Sequence, residues 1–144
     1  MPWGYSCHLD ISRCDKRIEV FFPYAVFTES ARNTLRHFVI ALVEHIKMKR
    51  YGDPVIEYFG TEEAKGWSVM QLIETSCITM HTTDESSNIY LDVFSCRKFE
   101  PEDVIEFVRS FWSPQKIMYN YIERDAGEKN REEGEGLPAS TCED

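Results

Sequence analysis

The stretch from Trp67 to Cys96 limits the possible folds more than any other. Apolar and β-branched side chains dominate two runs, Trp67–Thr82 and Ile89–Cys96, and a polar cluster from Asp84 to Asn88 separates them. Two extended runs joined by so short a polar connection form a hairpin and pair antiparallel. The first run is long enough to be one long strand or two broken ones. Within these runs stand Ser68, Ser76, His81 and Cys96. A strand core is ordinarily filled by Val, Ile and Phe, so side chains of this kind need a reason to be there.

The flanking segments supply the partners of that hairpin. Tyr5, Cys7, Leu9 and Ile11 alternate with Ser6, His8 and Asp10, which predicts a half-buried strand over residues 4–11 with His8 on its polar side. Ile18 to Phe22 reads as a short extended piece stopped by Pro23. Ala31, Leu35, Phe38, Val39, Leu42 and Ile46 share one helical face, so an amphipathic helix is expected over 29–49, capped by Thr28 or Ser30. Tyr51-Gly-Asp-Pro54 is a turn signal, followed by a short strand Val55–Phe59 and a polar loop to Gly66. Pro101 suits the first turn of a second helix whose apolar stripe is Val104, Ile105, Val108 and Phe111. Ser113-Pro114 ends it, and Lys116–Ile122 is the last strand. The resulting order, β-α-β-β-β-α-β, predicts an α+β two-layer sandwich: a mostly antiparallel sheet with two helices on one face.

At 144 residues the chain has the size of one domain. The net charge of −9 is concentrated at the C-terminal end, where Asp125–Asp144 holds seven acidic and two basic residues. The expectation is a folded domain over 1–124 and a disordered acidic tail over 125–144. No clustered basic face suggests nucleic-acid binding. There is no run of ~18 apolar residues and no signal-peptide pattern at the N-terminus, so neither membrane association nor secretion is expected and the expected location is cytoplasmic. Five cysteines, Cys7, Cys14, Cys77, Cys96 and Cys142, lack the spacing of a disulfide framework or a zinc site, and no metal is expected.

Taken singly, each candidate residue has an ordinary explanation. A strand serine bonds a backbone carbonyl, a strand histidine is structural, and a buried cysteine behaves as a small hydrophobe. Together on two neighbouring strands they fit nucleophilic or acid–base chemistry better. Ser76 and His81 are five residues apart, so a regular strand would set them on opposite faces. Bringing them together needs a bulge, a break or a cut in the chain.

Gly66-Trp-Ser68, Glu74-Thr-Ser76, His81-Thr-Thr-Asp-Glu85 and Asp92-Val-Phe-Ser-Cys96 resemble, in register and without a gap, the self-cleavage region of the small bacterial and archaeal S-adenosylmethionine decarboxylases. The resemblance implies a pyruvoyl cofactor derived from Ser76 by cleavage of the Thr75–Ser76 bond. It implies that Ser68 and His81 assist the processing, that Cys96 returns a proton to the substrate α-carbon, and that Glu85 contacts the ribose hydroxyls. It further implies Schiff-base chemistry on a small-molecule substrate, a role in spermidine synthesis, and a homodimer with its site between subunits. The chain departs from the family pattern where Thr75 replaces Glu, Cys77 replaces His, and Thr83-Asp84 replaces Trp-Pro. An adenine ring wants an aromatic partner, for which Phe59 and Trp67 are the candidates. The added charge of Asp84 and the lost aromatic motivate an alternative basic substrate, ornithine or arginine. The altered cleavage junction motivates another alternative, an uncleaved non-catalytic relative that regulates an active partner.

Overall fold

The computed structural model describes residues 4–14 and 29–125, with the backbone alone at 13 and 14. The extended piece expected at 18–22, Thr28, and the acidic tail beyond Asp125 lie outside the described residues. The elements in chain order are β1 (Gly4–Cys14), α1 (Glu29–His45), β2 (Val55–Phe59), β3 (Gly66–Ile73), β4 (Ser76–Thr83), β5 (Asn88–Ser95), α2 (Pro101–Trp112) and β6 (Pro114–Arg124). The described strands form one six-stranded sheet in the order β2-β3-β4-β5-β1-β6, and every neighbouring pair is antiparallel. The two helices cover one face, as the α+β two-layer expectation requires.

Two sequence expectations change in detail. Of the two readings open for Trp67–Thr82, the structure has two strands, so the order, counted with one strand there, gains a strand and reads β-α-β-β-β-β-α-β. Glu74 and Thr75 form the whole connection, with Ile73 paired to Ser76. The connection is pinned from outside by the Glu74 N–H, which donates to the Lys49 carbonyl at 2.9 Å. The first helix stops at His45 rather than 49. Lys47 takes a left-handed φ of 61°, Met48 N–H donates to the Val43 carbonyl and Lys47 N–H to the Glu44 carbonyl, each at 3.0 Å. That pair of bonds is a Schellman closure, which usually recruits glycine and here uses lysine.

The core follows from strand alternation. Leu9 and Ile11 of β1, Val69 and Ile73 of β3, Ile78 and Met80 of β4, and Ile89, Leu91 and Val93 of β5 are buried. They meet Leu35, Phe38, Val39 and Leu42 of α1 and Val104, Val108 and Trp112 of α2, also buried. Phe38 sits at the helix–helix junction, its ring 5.0 Å from Phe111 and 5.3 Å from Trp112. Each such buried side chain contributes ~1.5–3 kcal/mol over its exposed state. The opposite face has no helix over it among the described residues. There Val55, Phe59, Met70, Leu72, Tyr90 and Met118 are each 45% exposed or more. No helix among the described residues is long and apolar enough to cross a membrane.

Candidate active site

The sequence-predicted residues fall into two groups at different places on the sheet. The first group is Ser68 and His81, directly opposite each other across β3 and β4. Both lie on the face without helices. Ser68 Oγ is 2.8 Å from His81 Nδ1, and His81 Nε2 is 3.0 Å from the Ala64 carbonyl oxygen. A carbonyl can only accept, so Nε2 carries a proton; in the neutral ring Nδ1 then accepts from the Ser68 hydroxyl. This is a serine whose proton is directed at a base. The pair is positioned by a close strand crossing just before it. A β-carbon at Gly66 would stand 1.7 Å from the Thr82 carbonyl oxygen, so only glycine lets β3 approach there, and Trp67 N–H donates to Thr82 Oγ1 at 3.0 Å.

An open cleft of about 450 Å³ surrounds this pair, lined by Glu57, Phe59, Met70, Tyr90 and Asp92 among others. The Phe59 ring is 6.5 Å from the His81 ring. Of the two aromatic candidates for a nucleobase, Phe59 is 57% exposed and faces this cleft. Trp67 is buried on the helix side, against Tyr58 and beneath the Arg32 guanidinium, so it is withdrawn from that role.

The second group is Thr75, Ser76 and Cys96, at the turn between β3 and β4. Ser76 opens β4 and pairs with Ile73 on one side and Ser95 on the other. The Thr75 carbonyl accepts the Cys96 N–H at 3.0 Å. The Ser76 hydroxyl has no hydrogen-bond partner among the described residues. Cys96 is exposed. A carbonyl that accepts an N–H, followed by a residue with an unengaged hydroxyl, supplies the groups that acyl transfer to a serine uses.

The two groups do not meet within one chain. β4 runs without a bulge from Ser76 to Thr83. Five residues at ~3.3 Å each separate Ser76 from His81 by roughly 16 Å, on opposite faces. The bulge or break that would join them is absent from β4.

Glu85 is exposed in the turn between β4 and β5. Its neighbour Asp84 accepts a hydrogen bond from the Tyr58 hydroxyl, and its other carboxylate oxygen is buried with no hydrogen-bond partner among the described residues. Burial raises the Asp84 pKa above the ordinary 3.8, against the opposing pull of Tyr58, Lys65 and His81. Burial, then the Asp84 bond and charge, pushes the Tyr58 hydroxyl up as well. On β1, His8 Nδ1 lies 2.7 Å from Asp92 Oδ1 on the open face. Burial, then the Asp92 charge, pushes the Cys7 thiol up to about 11, so it stays protonated and inert.

Sequence reasoning missed Ser95 and Tyr58. Ser95 left a signal: it continues the inward phase of Ile89, Leu91 and Val93, where a polar residue is out of pattern. Tyr58 left none.

Comparison with known proteins bears on the fold and the family. The chain is similar in fold to the adenosylmethionine decarboxylase of Aquifex aeolicus, with a TM-score of 0.65 and 17% identity over 92% of this chain and 98% of that one. No curated protein sequence matches the chain. The family model described as S-adenosylmethionine decarboxylase matches residues 28–125, which takes in Ser68, Thr75, Ser76, His81, Glu85 and Cys96. Matched over well more than half its length, the chain belongs to the S-adenosylmethionine decarboxylase family.

Proposed function

We propose that the chain cuts itself between Thr75 and Ser76 and acts as a pyruvoyl-dependent decarboxylase of S-adenosylmethionine, yielding the aminopropyl donor for spermidine synthesis. The observation that carries this reading is the Thr75 carbonyl held by the Cys96 N–H beside the unengaged Ser76 hydroxyl. In the cut, Ser76 Oγ bonds to the Thr75 carbonyl carbon, the C–N bond breaks, and the hydroxyl proton passes to the Ser76 nitrogen. The Cys96 N–H stabilises the oxyanion formed on the way. Loss of the Ser76 α-proton then expels Thr75 as a carboxylate. Water replaces the nitrogen of the resulting enamine–imine, ammonia leaves, and a ketone remains at residue 76. The residues present fit that group, since its formation needs only a serine after a polarised carbonyl.

When formed, the pyruvoyl group supplies an electron sink for loss of CO₂ from an amine-bearing substrate. Cys96 lies at the same end of the sheet and returns a proton to the α-carbon. Phe59 and Glu85 lie at the His81 end of the sheet, so those of a second copy of the chain stack on the adenine and receive the ribose hydroxyls. Asp84 spends one carboxylate oxygen on Tyr58 and buries the other, which weakens the motive for an ornithine or arginine substrate.

Ser68 and His81 act from a second copy of the chain. The open face carries exposed apolar side chains around this pair, and a homodimer formed through it brings the partner's His81 toward the turn that holds Ser76. The pair shuttles the proton that Ser76 loses.

The denatured mass of the purified protein tests the reading. Two chains, 1–75 and 76–144, the second blocked by a ketone, are expected, with Ser76→Ala leaving one chain. Release of CO₂ from S-adenosylmethionine, and not from ornithine or arginine, is expected of the cut enzyme. A chain still intact at 16.9 kDa after long incubation sinks the reading and favours a non-catalytic relative.

A further inference from the structure

Ser95 is fully buried and is surrounded by polar contacts. Its Oγ lies 2.7 Å from Thr75 Oγ1 and accepts the Arg97 N–H at 2.9 Å. Met48 Sδ lies 3.7 Å from both hydroxyls. The next residue, Cys96, donates its N–H to the Thr75 carbonyl at 3.0 Å. Thr75 is therefore held twice by consecutive residues, through its side chain by Ser95 and through its main chain by Cys96.

That double hold has a chemical consequence. Thr75 is half of a two-residue turn, and its ψ angle decides where its carbonyl carbon faces. A single hydrogen bond at the oxygen leaves the peptide plane free to rock about that bond. A second anchor on the side chain of the same residue removes the rocking. We infer that Ser95 is a positioning residue for self-cleavage: acting through the Thr75 hydroxyl, it fixes the plane of the carbonyl that Ser76 attacks. It touches none of the reacting atoms. The inference rests on the reading that the Thr75–Ser76 bond is cut. It also accounts for a threonine at position 75, because a hydroxyl on a short side chain is what the Ser95 bridge requires. After the cut the same groups receive the Thr75 carboxylate, so the new chain end stays docked on residues 95–97.

Reacting groups held in line react faster because orientation is settled in advance. Losing one hydrogen bond's worth of orientation slows the step by about tenfold. The experiment follows conversion of newly purified precursor into two chains by mass. Ser95→Ala and Thr75→Val are each expected to slow conversion about tenfold, and the double variant to be no slower than the slower single, since both remove one bridge. Ser95→Thr keeps the hydroxyl and is expected to convert within about threefold of wild type. A buried hydroxyl with a purely structural role would give additive losses and no rescue, and that result overturns the inference. Amide exchange gives a second readout that needs no cleavage. In the uncleavable Ser76→Ala chain, adding Ser95→Ala is expected to speed exchange at the Cys96 amide about tenfold, and unchanged exchange there overturns the bridge. A wild-type chain that never cuts sinks the proposed function and, with it, any role in cleavage. A wild-type chain that cuts while Ser95→Ala cuts equally fast sinks this inference alone.

Discussion

The two faces of the sheet are built from alternate residues of the same strands and have opposite surroundings. On one, Leu9, Val69, Ile78 and Leu91 are sealed under α1 and α2. On the other, Met70, Leu72 and Tyr90 are large and apolar but lie open beside Ser68 and His81. The difference teaches where each property of the chain resides. Stability is supplied by the closed face from within one chain. The open face holds the Ser68–His81 pair and an apolar surface that no helix among the described residues covers, and in the proposed reading a second copy of the chain completes it.

The sharpest test of this contrast is a truncation on the closed face. Phe38→Ala is expected to cost ~3–5 kcal/mol, read by urea unfolding and independent of protein concentration. The matching change on the open face, Met70→Ala, should cost under about 0.5 kcal/mol in dilute protein. Equal losses would break the contrast. Next comes pairing. Wild-type protein should run as a dimer in sedimentation, with unfolding midpoints that rise with concentration. Leu72→Glu should give a folded monomer with impaired cleavage. A wild-type monomer at every concentration would remove the proposed role of the open face. The smallest effect lies at Asp84. Its pKa is raised in the fold, so the folded state holds this proton more tightly than the unfolded chain does. The stability this group contributes is fully present below the ordinary carboxylate range and is lost as pH rises through its folded pKa. Asp84→Asn should flatten that part of the stability profile, from the ordinary carboxylate range upward. An unchanged slope would place the carboxylate in a wetter environment than its buried oxygen indicates.

The closed face was largely legible in the sequence. Its helices announce themselves by three-to-four-residue spacing and its strands by alternation, and Ala31, Leu35, Phe38, Val39, Leu42 and Ile46 are all buried as that spacing predicts. The ends of elements were less legible because backbone hydrogen bonds decide them. Lys47 closes a helix without glycine, and Glu74-Thr75 turns the chain without Gly, Pro or Asn, so neither left a compositional mark. For the site, the strand parity that separates Ser76 from His81 was readable from their spacing alone. The Thr75–Ser95 contact was not, because it depends on which strands are neighbours and in what register. The same holds for Tyr58, whose bond to Asp84 links β2 to the turn between β4 and β5, 26 residues away in sequence.

The strand order carries one more consequence. A cut at Thr75–Ser76 assigns β1, α1, β2 and β3 to one fragment and β4, β5, α2 and β6 to the other. Read across the sheet β2-β3-β4-β5-β1-β6, ownership changes at three seams: β3 with β4, β5 with β1, and β1 with β6. The fragments are thus interleaved rather than laid side by side, and neither can leave without unzipping strands on both sides of β1. Breaking one covalent bond turns a single polypeptide into a two-piece protein that behaves mechanically as if it were still one, while reassembly of the separated pieces would become a second-order event.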